Sequence, residues 1–252
     1  MTGIPVQGLS PAKAGTGVTR SIVVHQVRVA DEGRWQWRGS RLTWQPPHRY
    51  GFEAEFDPFP AYPHDPDAAR KAADHVAACC PPLWDVNLYL ADREETSRSN
   101  GHSNVHEGGR YEGSEWVQDE PSGMILLSAK RIPPHPAMTR HLVAHEYGHN
   151  VEYMLNSLRG GRHVASCDDL EREYAEMRGL PPSSVHHGEG ATWHDSACEI
   201  MACDFRIVVC GTEAEFWPHP GIPRPEEVPA VRQWWVGATG QLADGLAAKQ
   251  AA

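Results

Sequence analysis

The sequence lacks several features that would assign it to a specialised class of protein. Its 252 residues include no apolar run of about 18 residues or more, so no membrane-spanning helix is expected. No C-x-x-C pair occurs among its six cysteines, which disfavours a zinc ribbon or a thioredoxin-type motif. The residues before Ser21 contain no apolar core of a secretory signal. We therefore expect reduced thiols and, by default, a cytoplasmic protein, although export by a non-standard route is not excluded.

Positive charge is also scarce relative to negative charge. Lys and Arg total 23 against 33 Asp and Glu, which gives a net charge of −10. This balance disfavours a nucleic acid or an anionic membrane as a partner. Histidine, by contrast, is abundant at 15 residues, and it is the commonest metal ligand and acid/base group in proteins. The question is therefore whether any of these histidines are arranged for chemistry.

The pattern of apolar and turn residues predicts an α+β fold. Strands are expected at 21–30, 83–91 and 123–130, with a hairpin over 34–45. Helices are expected from Asp65 or Asp67 to Ala78, up to Gly160, over 168–178, over 192–209, and near the C-terminus around Trp234 and Trp235. We predict ordered loop at 46–66 and a flap or insertion at 92–122. Because strands come first and helices late, an α+β domain is favoured.

Three segments are expected along the chain. Residues 1–64 form an N-terminal arm and a β-rich segment that packs on the main domain. Residues 65–210 form the main domain, which contains the longest predicted helix. Residues 211–252 form a C-terminal extension, rich first in proline and then in alanine and glycine.

One group of residues has the spacing of a metal site. The motif His145-Glu146-Tyr147-Gly148-His149 is an HExxH sequence within the long predicted helix. Residues four apart lie about one turn apart on one helix face, so both imidazoles can reach one metal ion. Glu146 is offset by about 100°, where it can address a water at the metal rather than the metal itself. The motif therefore predicts a catalytic zinc site with Glu146 as general base.

The two histidines do not lie on the apolar stripe of that helix. At about 100° per residue they share a face with Met138 and Glu152. The opposite face is predicted to pack in the core, and its members are Val143, Tyr147, Val151, Met154 and Leu158. Glu152 lies two turns from His145, about 10 Å along the axis, which is too far for joint chelation. We interpret Glu152 as a solvated group or as a partner of a ligand.

A catalytic zinc ion needs a third protein ligand, for which Glu199 is the best candidate. Ala202, one turn later, is small enough to let the two helices approach closely, and Asp195 could accept a hydrogen bond from a ligating histidine. The alternative interpretation is that Glu199 only pairs with Arg206 at the surface. Other candidates for the third ligand are His194, His187, Asp168 and Cys203.

These motifs resemble those of the zincin metallopeptidases, and more narrowly of the Glu-zincin group. The resemblance rests on His145-Glu146-x-Gly-His149 and on Glu199-x-x-Ala202-x-x-Phe205, and covers less than half of the chain. It implies a small mixed sheet, an HExxH helix behind it and a later helix that bears the third ligand. It also implies that 123–130 is the edge strand that pairs with an extended substrate.

The resemblance further implies the roles of the site residues. His145, His149 and Glu199 would bind Zn2+, and Glu146 would be the general base in hydrolysis of a peptide or protein substrate. One position departs from the pattern: many Glu-zincins have Asp four residues after the glutamate ligand, whereas here Cys203 stands there and Asp204 follows.

A second donor to the oxyanion is also expected in such a mechanism. His194, near the start of the Glu199 helix, is the candidate that we assign as catalytic. Tyr174 and the pair His186-His187 are the other candidates, and residues 182–193 could form a wall of the cleft.

Two other functions fit the motif less well. A metal-stabilised structural or binding protein with a degenerate zincin domain is the main alternative, although a closed structural site has no need of the base Glu146. A peptide deformylase would add a cysteine ligand in a Glu-Gly-Cys context, which Cys79-Cys80 does not match. We therefore favour a zinc metallopeptidase.

Overall fold

The fold combines strands from the first half of the chain with helices from the second. A computed structural model describes residues 20–27, 34–38, 41–45, 54–97, 100–161, 166–185, 192–212 and 217–251. In these ranges the strands are β1 (Ile22–Val27), β2 (Arg34–Arg38), β3 (Arg41–Gln45), β4 (Ala54–Pro60), β5 (Val86–Ala91), β6 (Arg93–Glu95), β7 (Gly101–His106), β8 (Gly109–Glu112), β9 (Glu115–Gln118) and β10 (Ser122–Leu127). The α-helices are α1 (Pro66–Cys79), α2 (Pro136–Leu158), α3 (Asp168–Arg178), α4 (Ala197–Val208) and α5 (Pro229–Ala251). The predicted α+β class is confirmed.

The main sheet has the order β1-β5-β10-β7. Strands β1, β5 and β10 are parallel, whereas β7 runs antiparallel to β10. The two central strands are largely buried, and every residue of β10 after its first is buried, whereas β1 contains His25 and Gln26 and is partly exposed. A second sheet, β2-β3-β4-β6, contains the predicted 34–45 hairpin, whose strands β2 and β3 pair as expected.

Three predictions about the strands and the segments between them are wrong. The 123–130 strand does not lie at the edge, because β10 is paired on both sides and β7 comes last in the order. Strand β7 belongs to the segment 92–122, for which a flap or insertion was expected, and its sequence GHSNVH has too little apolar alternation to indicate a strand. The 46–66 segment is not all loop either, because it contains β4, whose prolines are accommodated at a break in register between Phe56 and Pro60.

The helix boundaries follow the expected capping residues closely. Asp65 accepts a hydrogen bond from the Asp67 backbone at 3.0 Å, and a proline occupies the first turn of α1. Helix α3 spans the predicted 168–178. Helix α4 begins at Ala197 rather than near residue 192, because the chain forms a turn before Ser196. In α5 the side chain of Trp235 is fully buried and Trp234 packs beside it.

Helix α2 packs in the centre of the core. Val143, Tyr147, Val151 and Met154 are buried as predicted, but Leu158, in the last turn, is 38% exposed. The backbone of Gly148 lies against α4, since a Cβ there would come within 2.9 Å of Ala202 Cα. Two small residues therefore let α2 and α4 approach more closely than larger side chains would allow.

Buried Asn150 connects the same helix to the sheet. Its Nδ2 donates to Ser103 Oγ at 2.6 Å, and its Oδ1 occupies the space that a Cβ at Gly123 would take. Helix α2 is thereby held against both β7 and β10.

Some predictions fall on residues outside the described ranges. They concern the N-terminal arm up to residue 19, the hairpin turn at Gly39 and Ser40, and the pair His186-His187. No helix in the described part of the chain combines the length and the hydrophobicity needed to cross a membrane.

Candidate metal centre

The close approach of α2 and α4 brings three predicted ligands together. Donor atoms of His145, His149 and Glu199 all lie within 4.8 Å of one another, and within the described ranges no other group of three His, Cys, Asp or Glu residues does so. Glu199 Oε2 lies 3.0 Å from His145 Nε2 and 3.6 Å from His149 Nε2. The three side chains are largely buried between the two helices, with exposed fractions of 7%, 11% and 13%.

The second nitrogen of each imidazole faces a different partner. Cys203 Sγ lies 3.4 Å from His145 Nδ1, and Glu152 Oε2 lies 3.7 Å from His149 Nδ1. Both rings therefore direct Nε2 towards Glu199 and Nδ1 away from it. Partners at Nδ1 fix the tautomer and orientation of metal-binding histidines, so this arrangement suits two ligands that bind through Nε2.

Charge in the cluster is balanced between imidazoles and acidic groups. Burial lowers the pKa of His145, but Cys203 and Glu199 outweigh burial and raise that pKa to about 10. Burial likewise opposes the charged form of His149, yet Glu199 and Glu152 raise its pKa well above the usual value. The two imidazoles in turn overcome the effect of burial on Glu199 and lower its pKa. Such an anionic donor set favours any bound cation, whether a proton or a metal ion.

Glu146 lies beside this cluster, against the last strand of the sheet. It is 5% exposed, and a Cβ at Gly101 would come within 2.7 Å of its Oε1. The absence of a side chain at Gly101 therefore leaves room for the carboxylate between α2 and β7. Burial raises the pKa of Glu146, while the charges of His145 and His149 lower it in part. A carboxylate with a raised pKa is a better proton acceptor than a solvated one.

A cleft with a volume of about 570 Å³ opens over these residues. Its described lining includes three residues that the sequence did not single out: His102 from β7, His141 from α2 and Trp193 from the turn before α4. His102 Nε2 lies 2.6 Å from Glu95 Oε2. Although burial lowers the pKa of His102, its pairing with Glu95 raises it overall. Only pairing across the sheet, which residue spacing does not encode, brings this histidine to the cleft.

Several predicted site residues lie elsewhere. His194, expected to donate to the oxyanion, is exposed and is not among the described residues lining the cleft; its Nδ1 lies 2.7 Å from the carbonyl oxygen of Pro218. The structure does not bring it to Glu146, because α4 begins after it and the preceding turn directs it outwards. Asp195 accepts from Thr192 Oγ1 at 2.8 Å instead of contacting a ligand histidine.

Three other expected partners that the structure describes, Tyr174, Asp168 and Arg206, are also not part of the cluster. Tyr174 is buried and donates to Asp204, which also accepts from Arg178 Nε at 2.9 Å. Asp168 is exposed at the start of α3, and His187 lies outside the described ranges. Arg206 is completely buried, so the surface pair that it was expected to form with Glu199 does not exist.

Of the two roles expected for Glu152, burial rules out the solvated one, since the residue is 2% exposed, and its place beside His149 agrees with a partner of a ligand. Cys203, another candidate for the third ligand, instead lies beside Nδ1 of His145, at the position where the Glu-zincin pattern has an aspartate. No protein-family model matches the chain, and no curated protein or solved structure matches it either.

Proposed function

We propose that this protein is a zinc-dependent metallopeptidase of the zincin type, which hydrolyses peptide bonds in a peptide or protein substrate. The observation that carries the proposal is the convergence of His145, His149 and Glu199 beside the carboxylate of Glu146, all in one cleft. An edge strand also lies next to the HExxH helix, as the resemblance implies, although this strand is β7 and not 123–130.

The donor set fits zinc. Two imidazole nitrogens and one carboxylate oxygen form a usual ligand set for a catalytic zinc ion, which keeps one further position open. Cys203 Sγ and Glu152 Oε2 face the two Nδ1 atoms at 3.4 and 3.7 Å, the side from which partners orient metal-binding histidines. When bound, zinc would supply Lewis acidity, which polarises the scissile carbonyl and lowers the pKa of a water molecule towards about 7.

The residues of the chain would supply the remaining chemistry. Glu146 Oε1, held against Gly101, would accept the proton of the attacking water and return it to the leaving amine. Its buried position excludes bulk water from that proton transfer. His102 faces the same cleft and, when protonated beside Glu95, could donate to the oxygen that becomes negative. In this proposal His102 replaces His194 as the candidate donor.

The first test separates binding of metal from turnover. The purified chain should contain one zinc per molecule by elemental analysis and should cleave members of a peptide library or casein. Glu146→Gln should keep the zinc and lower kcat by at least about 1000-fold, because it removes the base without removing a ligand. Proteolysis by a verified Glu146→Gln protein at the wild-type rate would overturn the mechanism.

The third ligand is tested by zinc affinity. Glu199→Ala should weaken zinc binding by at least about 100-fold, whereas Asp195→Ala, four residues earlier and bonded to Thr192, should bind zinc like the wild type. Equal zinc content in both variants would mean that Glu199 is not a ligand. A protein that binds zinc, needs it to stay folded and cleaves nothing would instead be a metal-stabilised structural or binding protein.

A further inference from the structure

Two carboxylates in the cleft are neither a ligand nor the base in the proposed chemistry. Glu152, on α2, and Glu171, on α3, both line the cleft next to His149. Oε1 of Glu152 and Oε2 of Glu171 are buried, and no N–H or hydroxyl donor of the described residues lies within hydrogen-bond distance of either oxygen. Glu152 is 2% exposed, so this unpartnered oxygen belongs to an almost completely buried side chain. Buried polar atoms without partners are rare, because they lose the hydrogen bonds that water would give them.

The electrostatic environment of this pair is strongly negative. Four glutamates and no Lys or Arg are found among the described residues that line the cleft. Glu146 is the proposed base and Glu199 the proposed third ligand, so Glu152 and Glu171 are the two glutamates to which no chemical step is assigned. His149 lies 3.7 Å from Oε2 of Glu152, which leaves the other oxygen unpaired. Burial, followed by the charge of Glu152 and a hydrogen bond between the two carboxyl groups, raises the pKa of Glu171 to about 8, as expected for adjacent buried acids.

A positively charged group would satisfy both oxygens. A second metal ion fits poorly, because in the part of the chain that the structure describes the only group with three converging ligands is the one formed by His145, His149 and Glu199. Calcium would require about six to eight oxygen ligands. A guanidinium or ammonium group, in contrast, needs only two carboxylate acceptors, and the cleft of about 570 Å³ has room for a side chain.

We propose that Glu152 and Glu171 form a subsite that binds a cationic group of the substrate beside the scissile bond. The cation is the side chain of Arg or Lys, or the free amino terminus of the peptide. This inference rests on the proposed peptidase function, because it assigns the substrate class of the same cleft. The proposed substrates are therefore basic peptides, which also complement the net charge of −10 of the chain.

The primary test compares substrates and requires no variant. Zinc-loaded protein is given peptides that are identical except for Arg, Lys, citrulline or norleucine at each position flanking the cleaved bond. At one position, kcat/KM for Arg or Lys should exceed that for citrulline and norleucine by at least about tenfold. Acetylated and free amino termini identify the source of the cation: an effect of acetylation without an effect of the side chain assigns the subsite to the amino terminus. No preference for a cation from either source would overturn the proposal.

A pair of variants on α3 assigns the preference to the subsite. Glu171→Gln should lower the ratio of the kcat/KM values for the Arg and citrulline peptides by at least about tenfold, because a neutral amide no longer balances the cation. The control is Glu176→Gln, on the same helix but exposed, which should keep the ratio of the wild type. An unchanged ratio in folded Glu171→Gln protein would exclude Glu171 from the subsite.

A binding measurement distinguishes failure of the subsite from failure of the peptidase function. Zinc-loaded Glu146→Gln protein is titrated with the Arg and citrulline peptides, and binding is followed by fluorescence anisotropy. Tighter binding of the Arg peptide by about tenfold would support the subsite even if the wild type cleaves nothing. Equal affinities, together with cleavage that ignores charge, would overturn the subsite and leave the peptidase function standing.

Discussion

At the residue scale, the unusual contact in the metal centre is between a thiol and an imidazole. Cys203 Sγ lies 3.4 Å from His145 Nδ1, where a carboxylate or carbonyl oxygen is the more frequent partner of a metal-binding histidine. Burial raises the pKa of Cys203, but the charge of His145 outweighs it and lowers that pKa to about 5. The sulfur and the ring therefore stabilise each other's charged forms.

We expect Cys203→Ala to weaken zinc binding. Loss of a partner at Nδ1 commonly lowers metal affinity by about 10- to 100-fold, because the ring loses its fixed orientation. Competition with a chromophoric chelator measures the change. Cys198→Ala is the matched control, since its sulfur lies in the same cleft but 3.0 Å from Ser196 Oγ. Equal zinc affinity in folded Cys203→Ala and in the control would show that the thiol does not support His145.

The sequence predicted some of these residues and not others, for a physical reason. Spacing along one helix brought His145, Glu146 and His149 together, since four residues make about one turn. The contacts of Cys203 and Glu152 depend on which nitrogen of each ring faces the neighbouring side chains. That choice is made by packing between helices far apart in the sequence, which no local pattern encodes.

At the scale of elements, the distance between α2 and α4 controls how closely Glu199 approaches the two histidines of the candidate metal centre. A Cβ at Gly148 would come within 2.9 Å of Ala202 Cα, a backbone atom that can retreat only if α4 moves. Movement of α4 would carry Glu199 away from the two histidines. The geometry of the ligands thus depends on a contact on the flank of the helix, outside the cleft.

Gly148→Ala should therefore be destabilising, although alanine is the better helix former. The steric strain of about 1–3 kcal/mol exceeds the gain of about 1 kcal/mol from helix propensity. Gly237→Ala, in α5 with nothing within 4 Å of the added Cβ, should instead gain about 0.5–1 kcal/mol. Urea unfolding measures both changes, and a stabilised Gly148→Ala protein would contradict the importance of this contact.

Elements with strong periodicity or capping residues were predicted well. Helices α1, α2 and α3 agree with the predicted ranges because proline, Asp65 and glycine mark their ends. Strands β5 and β10 agree with the predicted ranges because buried parallel strands are mostly apolar. Strand β7 was missed because its residues are polar, and pairing with β10 rather than composition makes it a strand. Its pairing to β10 also explains why 123–130 is not the edge.

At the scale of the whole molecule, one buried histidine should make the fold sensitive to acid. His64 lies between β4 and α1, is completely buried, and its Nδ1 lies 2.8 Å from Thr139 Oγ1 in α2. Burial, assisted by the charge of Lys130, lowers the pKa of His64 from 6.5 to about 4. Between these two pKa values the folded state binds fewer protons than the unfolded state. The contribution of neutral His64 to the free energy of unfolding is therefore fully present above pH 6.5 and is lost as the pH falls towards 4.

We expect wild-type protein to lose about 2 kcal/mol more unfolding free energy between pH 7.5 and 5 than His64→Asn, which cannot titrate. Urea unfolding at both pH values, with the same metal content in both proteins, measures the difference. Thr139→Val is the control: it removes the hydrogen bond but keeps the buried histidine, so its pH dependence should match the wild type. An equal loss in wild type and His64→Asn would show that His64 is not the acid-sensitive group.

The order of the strands around the cleft also has a consequence for changes in chain length. Strands β7 and β10 pair directly, with His106 opposite Ser122, while β8 and β9 pair only with each other within the described ranges. Residues 107–121 therefore leave the sheet after His106 and return to it at Ser122, the residue that pairs with His106. Shortening residues 107–121 to a tight turn, or replacing them with another hairpin, would leave the paired ends of β7 and β10 in place. The chain thus has a site for insertion and deletion that is decoupled from the spacing between Gly101 and Glu146.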